Sequence, residues 1–278
     1  MTTVLVGASG HLGTVVADLL GDVVAVPARD VLERGPDAMR GVVRPGAVVV
    51  NAAGARRGEP EALRRLNVEL VAALVTVVDE TSGHLVQLGS AAEYGTAQPG
   101  GLCAEDAEPA PESPYGVTKA EGTQCALASG RATVLRVFNV ASEPPQDGTP
   151  LADVVARVAR ARAGSPVELI SAATVRDWVR PSFVARSVER AVRLRPVGVF
   201  NVASGEGVAM GDAVAGALDL LGVPAGVHDL AAAPASTVVG TADLWRSTSG
   251  LAEAVTTSDL AALVARHARA TADLPEEY

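Results

Sequence analysis

Short apolar runs alternate with stretches whose apolar residues recur at helical spacing in the first part of the chain. Thr3 to Val6 is the first run, and a glycine-rich turn separates it from the helical pattern of Leu12 to Leu20. Val23 to Val26 and Ala47 to Val50 are two further runs of strand length, with a short predicted helix at Pro36 to Arg40 between them. Because strands that alternate with helices are typical of a parallel sheet covered by helices, the pattern predicts an α/β fold.

The same alternation continues through the next hundred residues. A long helix is predicted from about Glu59 to Asp79, and we expect Asn67 in its interior to stabilise a kink, since asparagine is a poor helix former. His84 to Leu88 is the fourth predicted strand and Ala132 to Val137 is the next, with a helix from Tyr115 to about Ser129 between them. The whole order predicts a Rossmann-type, doubly wound parallel sheet.

Composition agrees with this architecture. The chain has 278 residues, of which 48% are hydrophobic, 20% are charged and only 3% are aromatic. A core built from Ala, Val and Leu suits buried parallel strands packed under helices. The net charge of -9, without a run of basic residues, argues against a nucleic-acid partner.

The location of the protein is also constrained by its sequence. No apolar run approaches the ~20 residues that a membrane span needs, and the chain passes directly into Val4 and Leu5 without a basic leader segment. Cys103 and Cys125 lack metal-ligand spacing, so we expect two reduced thiols and no bound metal. These features favour a cytoplasmic protein without a membrane partner.

The turn after the first strand has the composition of a dinucleotide site. It consists of Gly7-Ala8-Ser9-Gly10-His11-Leu12-Gly13 and lies between a strand and a helix. Glycines there allow a tight turn and close approach to a pyrophosphate, and the helix N-terminus offers free N–H groups to the anion. The predicted cofactor contacts in this turn are Gly7, Ser9, Gly10, His11, Leu12 and Gly13.

The choice between NADP and NAD depends on the residues after the second strand. A carboxylate at that point selects the ribose 2′-hydroxyl of NAD, whereas a guanidinium suits the 2′-phosphate of NADP. Pro27 occupies the place of the carboxylate and Arg29 follows it, so we expect NADP(H) to be preferred. NAD(H) remains an alternative, because Asp30 could reach the ribose and leave Arg29 in solvent.

Two further segments are expected to line the cofactor cleft. The third strand ends in Asn51-Ala52-Ala53-Gly54, whose small side chains leave room for the cofactor, and Asn67 lies in the helix that follows. We therefore predict that Asn51, Ala52, Ala53, Gly54 and Asn67 contact it.

Three residues carry the predicted chemistry. Ser90 lies just beyond the fourth strand, where open α/β sheets place their active sites, and Tyr115 and Lys119 are one helical turn apart. An ammonium beside a phenol lowers the phenol pKa, which allows proton exchange with an alcohol or ketone. The polar loop from Ala97 to Pro114 is expected to shape a substrate mouth. Tyr-x-x-x-Lys also occurs by chance, so this prediction depends on the other motifs.

Taken together and in order, the motifs resemble the extended short-chain dehydrogenase/reductase superfamily. More narrowly, the chain is similar to the NAD-dependent epimerase/dehydratase family, whose members act mostly on nucleotide-linked sugars. The motifs that carry the resemblance are GASGHLG, NAAG, Asn67, LGSAAEYG, SPYGVTKAE, LRVFNV, TVRDWV and VFNVASGE.

The resemblance implies roles and a division of the chain. Tyr115 would be the acid/base, Lys119 would lower its pKa and hold the nicotinamide ribose, and Ser90 would orient the reacting oxygen. The implied substrate contacts are Ser90, Ala91, Asn139 and Arg176. A Rossmann domain would comprise residues 1–140 and about 180–205, and a small C-terminal substrate lobe would comprise about 141–179 and 206–278.

Departures from the family pattern restrict the reaction. Ala91 and Ala92 stand where the family's dehydratases carry an Asp-Glu pair, which disfavours dehydration.

The guanidinium of Arg176 is expected to bind a diphosphate through two N–H groups, although a surface pair with Asp177 is an alternative. After the RDW motif, Val179-Arg180-Pro181-Ser182 replaces the usual aromatic-acid stretch, so the packing of the lobe is open.

The expected function is reduction of the 4-keto group of a nucleotide-linked deoxysugar by hydride transfer from NADPH. An epimerase with tightly bound NAD is the first alternative. A non-catalytic NAD(P)-sensing protein is the second, and the presence of both Tyr115 and Lys119 argues against it. The resemblance also implies a homodimer formed through the helices at Glu59 to Asp79 and Tyr115 to Ser129.

Overall fold

The computed structural model describes residues 2–96, 98–161, 165–232 and 234–272. The strands are β1 Thr3–Val6, β2 Val24–Val26, β3 Val48–Asn51, β4 His84–Ser90, β5 Leu102–Cys103, β6 Ala132–Val137, β7 Asn139–Val140, β8 Val167–Leu169, β9 Val175–Val179, β10 Gly198–Val202, β11 Gly207–Ala209, β12 Val227–Asp229 and β13 Thr237–Gly240.

The α-helices are α1 His11–Leu20, α2 Ala28–Arg34, α3 Asp37–Arg40, α4 Pro60–Arg64, α5 Leu70–Glu80, α6 Pro114–Ala128, α7 Pro150–Ala159, α8 Pro181–Leu194, α9 Met210–Leu221, α10 Asp243–Ser249 and α11 Thr257–Ala272. Among the residues that the structure describes, no helix is both long enough and apolar enough to cross a bilayer.

Six parallel strands form the central sheet in the order β10-β6-β4-β3-β1-β2. From β1 the chain adds β2 on one side, and it then adds β3, β4, β6 and β10 in turn on the other side. This reversal between β1 and β3 is the doubly wound arrangement. The predicted α/β fold of Rossmann type is confirmed, and all carboxyl ends of these strands open toward the same edge.

Helices cover both faces of this sheet. Successive strand residues point to opposite sides, so apolar side chains on each face pack against the helices there. Val4 and Val6 of β1 lie in one apolar cluster together with residues of α2, α3, α5 and α6. Leu5, between them, lies in a second cluster with residues of α1, α8 and α10. Small aliphatic side chains fill both layers, as the composition predicted.

The C-terminal part has a different construction. Its apolar core lies between α7, α9, α11 and the ribbon of β8 and β12. A mixed sheet in the order β11-β9-β13-β5 joins this part to the loop that precedes α6, and β7 pairs with β9. Arg180 pairs with Glu253 and Asp259 and so ties the start of α8 to the segment leading into α11.

Two elements differ from the sequence expectation. Ala28–Arg34 forms α2, so Arg29 and Asp30 lie in the first turn of a helix and not in an extended strand exit. The loop predicted from Ala97 to Pro114 contains β5, in which Cys103 is fully buried against β13. Its pairing partner lies more than 130 residues later, beyond the range of local patterns.

The long helix contains the irregularity predicted at Asn67. Residues Arg65–Glu69 form a π turn between α4 and α5. The Asn67 side chain accepts from the Ala55 backbone N–H at 3.0 Å and donates to the Ala55 carbonyl at 2.8 Å and to Thr118 Oγ1 at 3.0 Å. The widened turn therefore carries an amide that joins the loop after β3 to α6.

Candidate active site

The glycine turn leaves the start of α1 open. Gly10 precedes the helix without a side-chain cap, and the first turn has no acidic residue. A Cβ at Gly13 would lie 1.9 Å from the Gly7 carbonyl oxygen, and one at Gly7 would lie 2.5 Å from the Ala53 nitrogen. Only glycine allows this close packing of turn, helix and neighbouring strand end. The free N–H groups at the helix start fit a pyrophosphate.

A cavity of about 860 Å³ runs from this turn to the C-terminal part of the chain. The sequence-predicted residues that line it are Gly10, His11, Leu12, Ala52, Ala53, Gly54, Asn67, Ser90, Ala91, Tyr115, Lys119, Asn139 and Arg176. Predicted residues that do not line it are Gly7, Ser9, Gly13, Arg29 and Asn51.

Asn51 is completely buried beneath the cavity wall. It donates to Gln87 Oε1 at 2.9 Å and accepts from the Ala53 N–H at 3.1 Å. These bonds hold the turn after β3, so the structure gives Asn51 a supporting position for Ala52 and Ala53. Direct contact with a cofactor, which we expected, is not favoured by this burial.

Ser90, Tyr115 and Lys119 meet at the carboxyl end of β4. Ser90 is the last residue of this strand and begins a short 3₁₀ turn at residues 91–93, while α6 carries the other two residues. The Ser113 hydroxyl caps α6 by accepting from the Gly116 N–H, which fixes the helix start next to Tyr115. Lys119 is buried, and its ammonium donates to the Leu88 carbonyl at 2.5 Å.

The electrostatics of Tyr115 differ from the sequence expectation. Burial raises the pKa of Tyr115, while the Ser90 hydroxyl lowers it, the Glu93 charge raises it and the Arg56 charge lowers it. Lys119 is not among these influences, and burial lowers the pKa of its own ammonium. The expected net lowering of the Tyr115 pKa is therefore not found, and the Lys119 ammonium donates to a backbone carbonyl.

Arg176 is fixed in the cavity wall by a distant segment. Its Nη1 donates to the carbonyls of Val175 and Ser236, and its Nη2 donates to Ser236 Oγ, each at 2.8 Å. Three of its five N–H groups are used in this way, which leaves two for a ligand. The alternative of a surface pair with Asp177 is wrong, since Asp177 is fully buried and bonds to Ser204, Gly205 and Gly240.

Asn139 lines the same cavity as Arg176. It is the first residue of β7, which pairs with the strand that carries Arg176, β9. Its amide donates to the Asp177 carbonyl at 3.0 Å, so the side-chain oxygen remains as its acceptor toward the cavity. Arg29, in contrast, is 81% exposed and pairs with Asp30 at 3.2 Å. The structure thus brings Asn139 together with Arg176 but leaves Arg29 at the surface.

Arg56 and Glu112 are two of the charged residues at the cavity that were missed from the sequence. Arg56 lines the cavity, donates to the Gly148 carbonyl at 3.2 Å and lowers the pKa of Tyr115 by its charge. Glu112 also lines it and accepts from the Thr96 backbone N–H at 3.0 Å and hydroxyl at 2.6 Å. The only available signal was position, because Arg56 follows the third strand and Glu112 precedes Tyr115 by three residues.

Fold and site together define a class: a doubly wound sheet with a glycine turn at one strand end and a serine, tyrosine and lysine at another. The sequence model of the NAD dependent epimerase/dehydratase family matches residues 3–203. The chain belongs to this family, and the predicted resemblance is confirmed. No curated protein matches the chain.

Solved structures of similar fold cover nearly the whole chain. MoeE5 in complex with UDP-glucose and NAD is 22% identical, with a TM-score of 0.79 over 98% of this chain and 99% of the other. RMD from Pseudomonas aeruginosa complexed with NADPH is 21% identical, with a TM-score of 0.80 over 98% and 100%. UDP-glucuronic acid 4-epimerase from Bacillus cereus in complex with NAD is 16% identical, with a TM-score of 0.81 over 98% and 100%. At these identities the likeness shows the fold.

Proposed function

We propose that the protein reduces the 4-keto group of a nucleotide-linked deoxysugar, with NADPH as the reductant. The observation that carries the proposal is the cavity wall at the end of β4. Ser90 and Tyr115 line it together, whereas the two adjacent positions, Ala91 and Ala92, have no acidic side chain for the elimination of water. This part of the wall thus has groups for proton exchange at one oxygen, and positions 91 and 92 lack the acid pair that dehydration requires.

The bound cofactor would supply the hydride to the carbonyl carbon. The Tyr115 phenol would give its proton to the oxygen that becomes negative, and the Ser90 hydroxyl would hold that oxygen in place. Since burial raises the pKa of Tyr115, the phenol is protonated at neutral pH. A protonated phenol is the form that a proton donor in ketone reduction requires.

Cofactor and substrate contacts are assigned to opposite ends of the cavity. Gly10, His11 and Leu12 would hold the pyrophosphate at the start of α1, and Lys119 would bind the nicotinamide ribose. At the other end, the two remaining N–H groups of Arg176 would grip the substrate diphosphate together with Asn139. The presence of UDP-glucose in MoeE5, whose fold this chain shares, supports a nucleotide sugar as the substrate.

The test uses NADPH that carries deuterium at the transferred position, with UDP-, dTDP- and GDP-linked 4-keto-6-deoxyhexoses. A reductase oxidises one NADPH per product and leaves one deuterium on C4 of the sugar. In a parallel arm with the corresponding 4-hydroxy sugars, interconversion of C4 epimers without net NADPH oxidation or label would contradict the proposal. Absence of any reaction with all three nucleotide classes would contradict it as well.

One observation favours the epimerase alternative. His11 of the glycine turn and Ser142 beyond β7 form a hydrogen bond of 2.7 Å between the two sides of the cavity. A bond across the cofactor cleft favours retention of the cofactor, which an epimerase requires between half-reactions. The same deuterium experiment separates the two functions, because an epimerase returns the hydride to its own substrate.

Assembly as a homodimer is proposed from the family resemblance. In that arrangement, the helix of residues 60–80 and α6 would pair with their mates across a two-fold axis. Multi-angle light scattering at micromolar concentration should give about twice the chain mass of 28.1 kDa. A species of 28.1 kDa alone would contradict the dimer.

A further inference from the structure

A fully buried carboxylate lies directly behind Ser90. Glu93 is 0% exposed, and its Oε1 accepts from the Ser90 backbone N–H at 2.8 Å. Its second oxygen, Oε2, accepts from Arg136 Nε at 2.8 Å, and the Arg136 side chain is 4% exposed. Both carboxylate oxygens are therefore used, one on the strand end that carries the serine and one on a buried guanidinium.

The chain makes room for this ion pair at Gly89. Arg136 stands opposite Gly89 in the register of β4 and β6. A Cβ at Gly89 would lie 2.8 Å from Glu93 Oε1 and 3.2 Å from Arg136 Cγ. The absence of a side chain at this position, one residue before Ser90, is a requirement of the pair.

Arg136 is fixed from its other side as well. Its guanidinium carbon lies 4.4 Å from the centre of the Tyr94 ring, and the Tyr94 hydroxyl donates to Asn201 Oδ1 at 2.8 Å. The arginine thus lies between a carboxylate and an aromatic face, and Asn201 holds that ring from β10. The position of Glu93 is consequently set by three strands of the central sheet.

Stability alone does not explain such a pair. Arg136 Nη1 is buried without a hydrogen-bond partner among the described residues. Replacing a buried ion pair by apolar side chains of similar volume is often neutral or stabilising. A buried pair in which one guanidinium nitrogen is unsatisfied, and which bonds directly to Ser90, points to a role in the site.

The hydroxyl of Ser90 is oriented by the same turn. Ser90 Oγ accepts from the Ala92 N–H at 3.2 Å, while Glu93 accepts from the Ser90 N–H, which together form a capping box around residues 91–93. The bond to Ala92 uses one lone pair of the hydroxyl. The proton and the other lone pair remain for Tyr115 and a substrate oxygen.

We infer that Glu93 is a positioning residue for the reaction, which acts through Ser90 by holding the serine hydroxyl toward Tyr115, with Arg136 holding the carboxylate. The inference deepens the proposed function and depends on it for the reaction itself. The geometric part, the restraint of Ser90 by Glu93, is independent of which substrate is reduced.

A matched pair of double variants isolates this restraint. Glu93→Gln/Arg136→Met removes both charges but keeps a side-chain oxygen that can accept from the Ser90 N–H. Glu93→Leu/Arg136→Met removes both charges and that acceptor. Neither leaves an unpaired buried charge, so both are expected to fold and to bind NADPH, which near-ultraviolet circular dichroism and fluorescence titration would check.

We call Glu93→Leu/Arg136→Met the Leu variant and Glu93→Gln/Arg136→Met the Gln variant. With a nucleotide-linked 4-keto-6-deoxyhexose, the Leu variant should have a kcat about 10- to 100-fold below that of the Gln variant, with little change in KM. Adding Ser90→Ala should lower kcat strongly in the Gln background and less than about threefold in the Leu background. Equal kcat values in the two backgrounds, with equal losses on Ser90→Ala, would overturn the inference. The ion-pair control is Glu253→Gln. Glu253 is 7% exposed, pairs with Arg180 and does not line the cavity.

A substrate-free measurement separates failure of this inference from failure of the proposed function. The phenol of Tyr115 can be titrated by NMR with tyrosine labelled with ¹³C at Cζ, assigned by Tyr115→Phe. The charged groups that influence it are Glu93 and Arg56, and Ser90 lowers its pKa. Displacement of Ser90 should leave the Tyr115 pKa higher in the Leu variant than in the Gln variant. Identical titration curves would contradict the restraint even if no substrate were turned over.

Discussion

The two ends of the cavity are built in different ways. Ser90, Tyr115 and Lys119 lie within 30 residues of one another, on a strand of the central sheet and the helix that follows it. Arg176 lies on a five-residue strand and is held by Ser236, 60 residues further along the chain. The proposed reacting centre is thus formed by neighbouring elements, whereas the proposed recognition end depends on contacts between distant segments.

This difference separates two requirements of such a site. Proton transfer depends on a fixed geometry. The carboxyl end of a central strand, in a sheet packed on both faces, provides it. Recognition depends on a surface that can differ between related proteins while the sheet is retained. We therefore expect changes at the first end to act on kcat and changes at the second to act on KM.

The largest expected effect is at the reacting end. Tyr115→Phe removes the proton donor and keeps the ring, so kcat should fall about 10²- to 10⁴-fold while NADPH binding is retained. Steady-state kinetics and a fluorescence titration of NADPH measure the two quantities. A variant with the parent kcat would show that Tyr115 is not the acid/base.

At the recognition end, Arg176→Ala should raise KM for a nucleotide sugar about 10- to 100-fold with a small effect on kcat, because charged hydrogen bonds contribute about 1.5 to 3 kcal/mol each. KM for a small free ketone should be unchanged. Arg246→Ala, at an exposed pair with Asp243, is the control for loss of a positive charge. Equal increases in KM for both substrates would remove the diphosphate assignment.

A smaller effect is expected where the cofactor meets the surface. Arg29→Ala should weaken NADPH binding about tenfold and leave NADH binding nearly unchanged, because an exposed guanidinium is screened by water. Isothermal titration of both reduced cofactors measures the difference. Tighter NADH binding that is insensitive to Arg29→Ala would indicate that Asp30 binds the ribose and would favour the epimerase.

The last expected effect is on stability and not on the reaction, and it lies at the amino end of β4. Burial, with the Arg195 charge, lowers the pKa of His84 to about 4, and its ring bonds to Thr133 Oγ1. The unfolded chain binds this proton near pH 6.5, so the free energy of unfolding should fall as the pH decreases from 6.5 to 4, by up to about 3 kcal/mol. Urea unfolding at both pH values should show a smaller loss for His84→Gln. An equal loss in both proteins would contradict the assignment.

Local patterns predicted the sheet part of the molecule well. The strands at residues 3–6, 84–88 and 132–137 lie where the apolar runs place them, because consecutive parallel strands are buried on both faces and so are apolar throughout. An irregularity at Asn67 was also expected, but through local bonding, whereas its partners Ala55 and Thr118 lie 12 and 51 residues away. The strand predictions required only neighbouring residues.

Contacts between distant segments account for what was wrong or missed. β5 in the predicted loop exists because β13 pairs with it. The direction of the Tyr115 pKa depends on burial and on Glu93 and Arg56, and the ammonium of Lys119 is directed elsewhere. Glu93 gave no signal in the sequence, because its role depends on Arg136, which lies 43 residues later on the adjacent strand.

The sequence by itself determined the α/β fold, the family and the position of Ser90, Tyr115 and Lys119, because strand burial and glycine turns follow from adjacent side chains. Only the tertiary structure decided the directions of the pKa shifts and which groups are paired. Burial and the charges of residues remote in sequence set the pKa values and hydrogen bonds of Tyr115, Lys119 and Arg176, and the distances between such residues exist only in the folded chain.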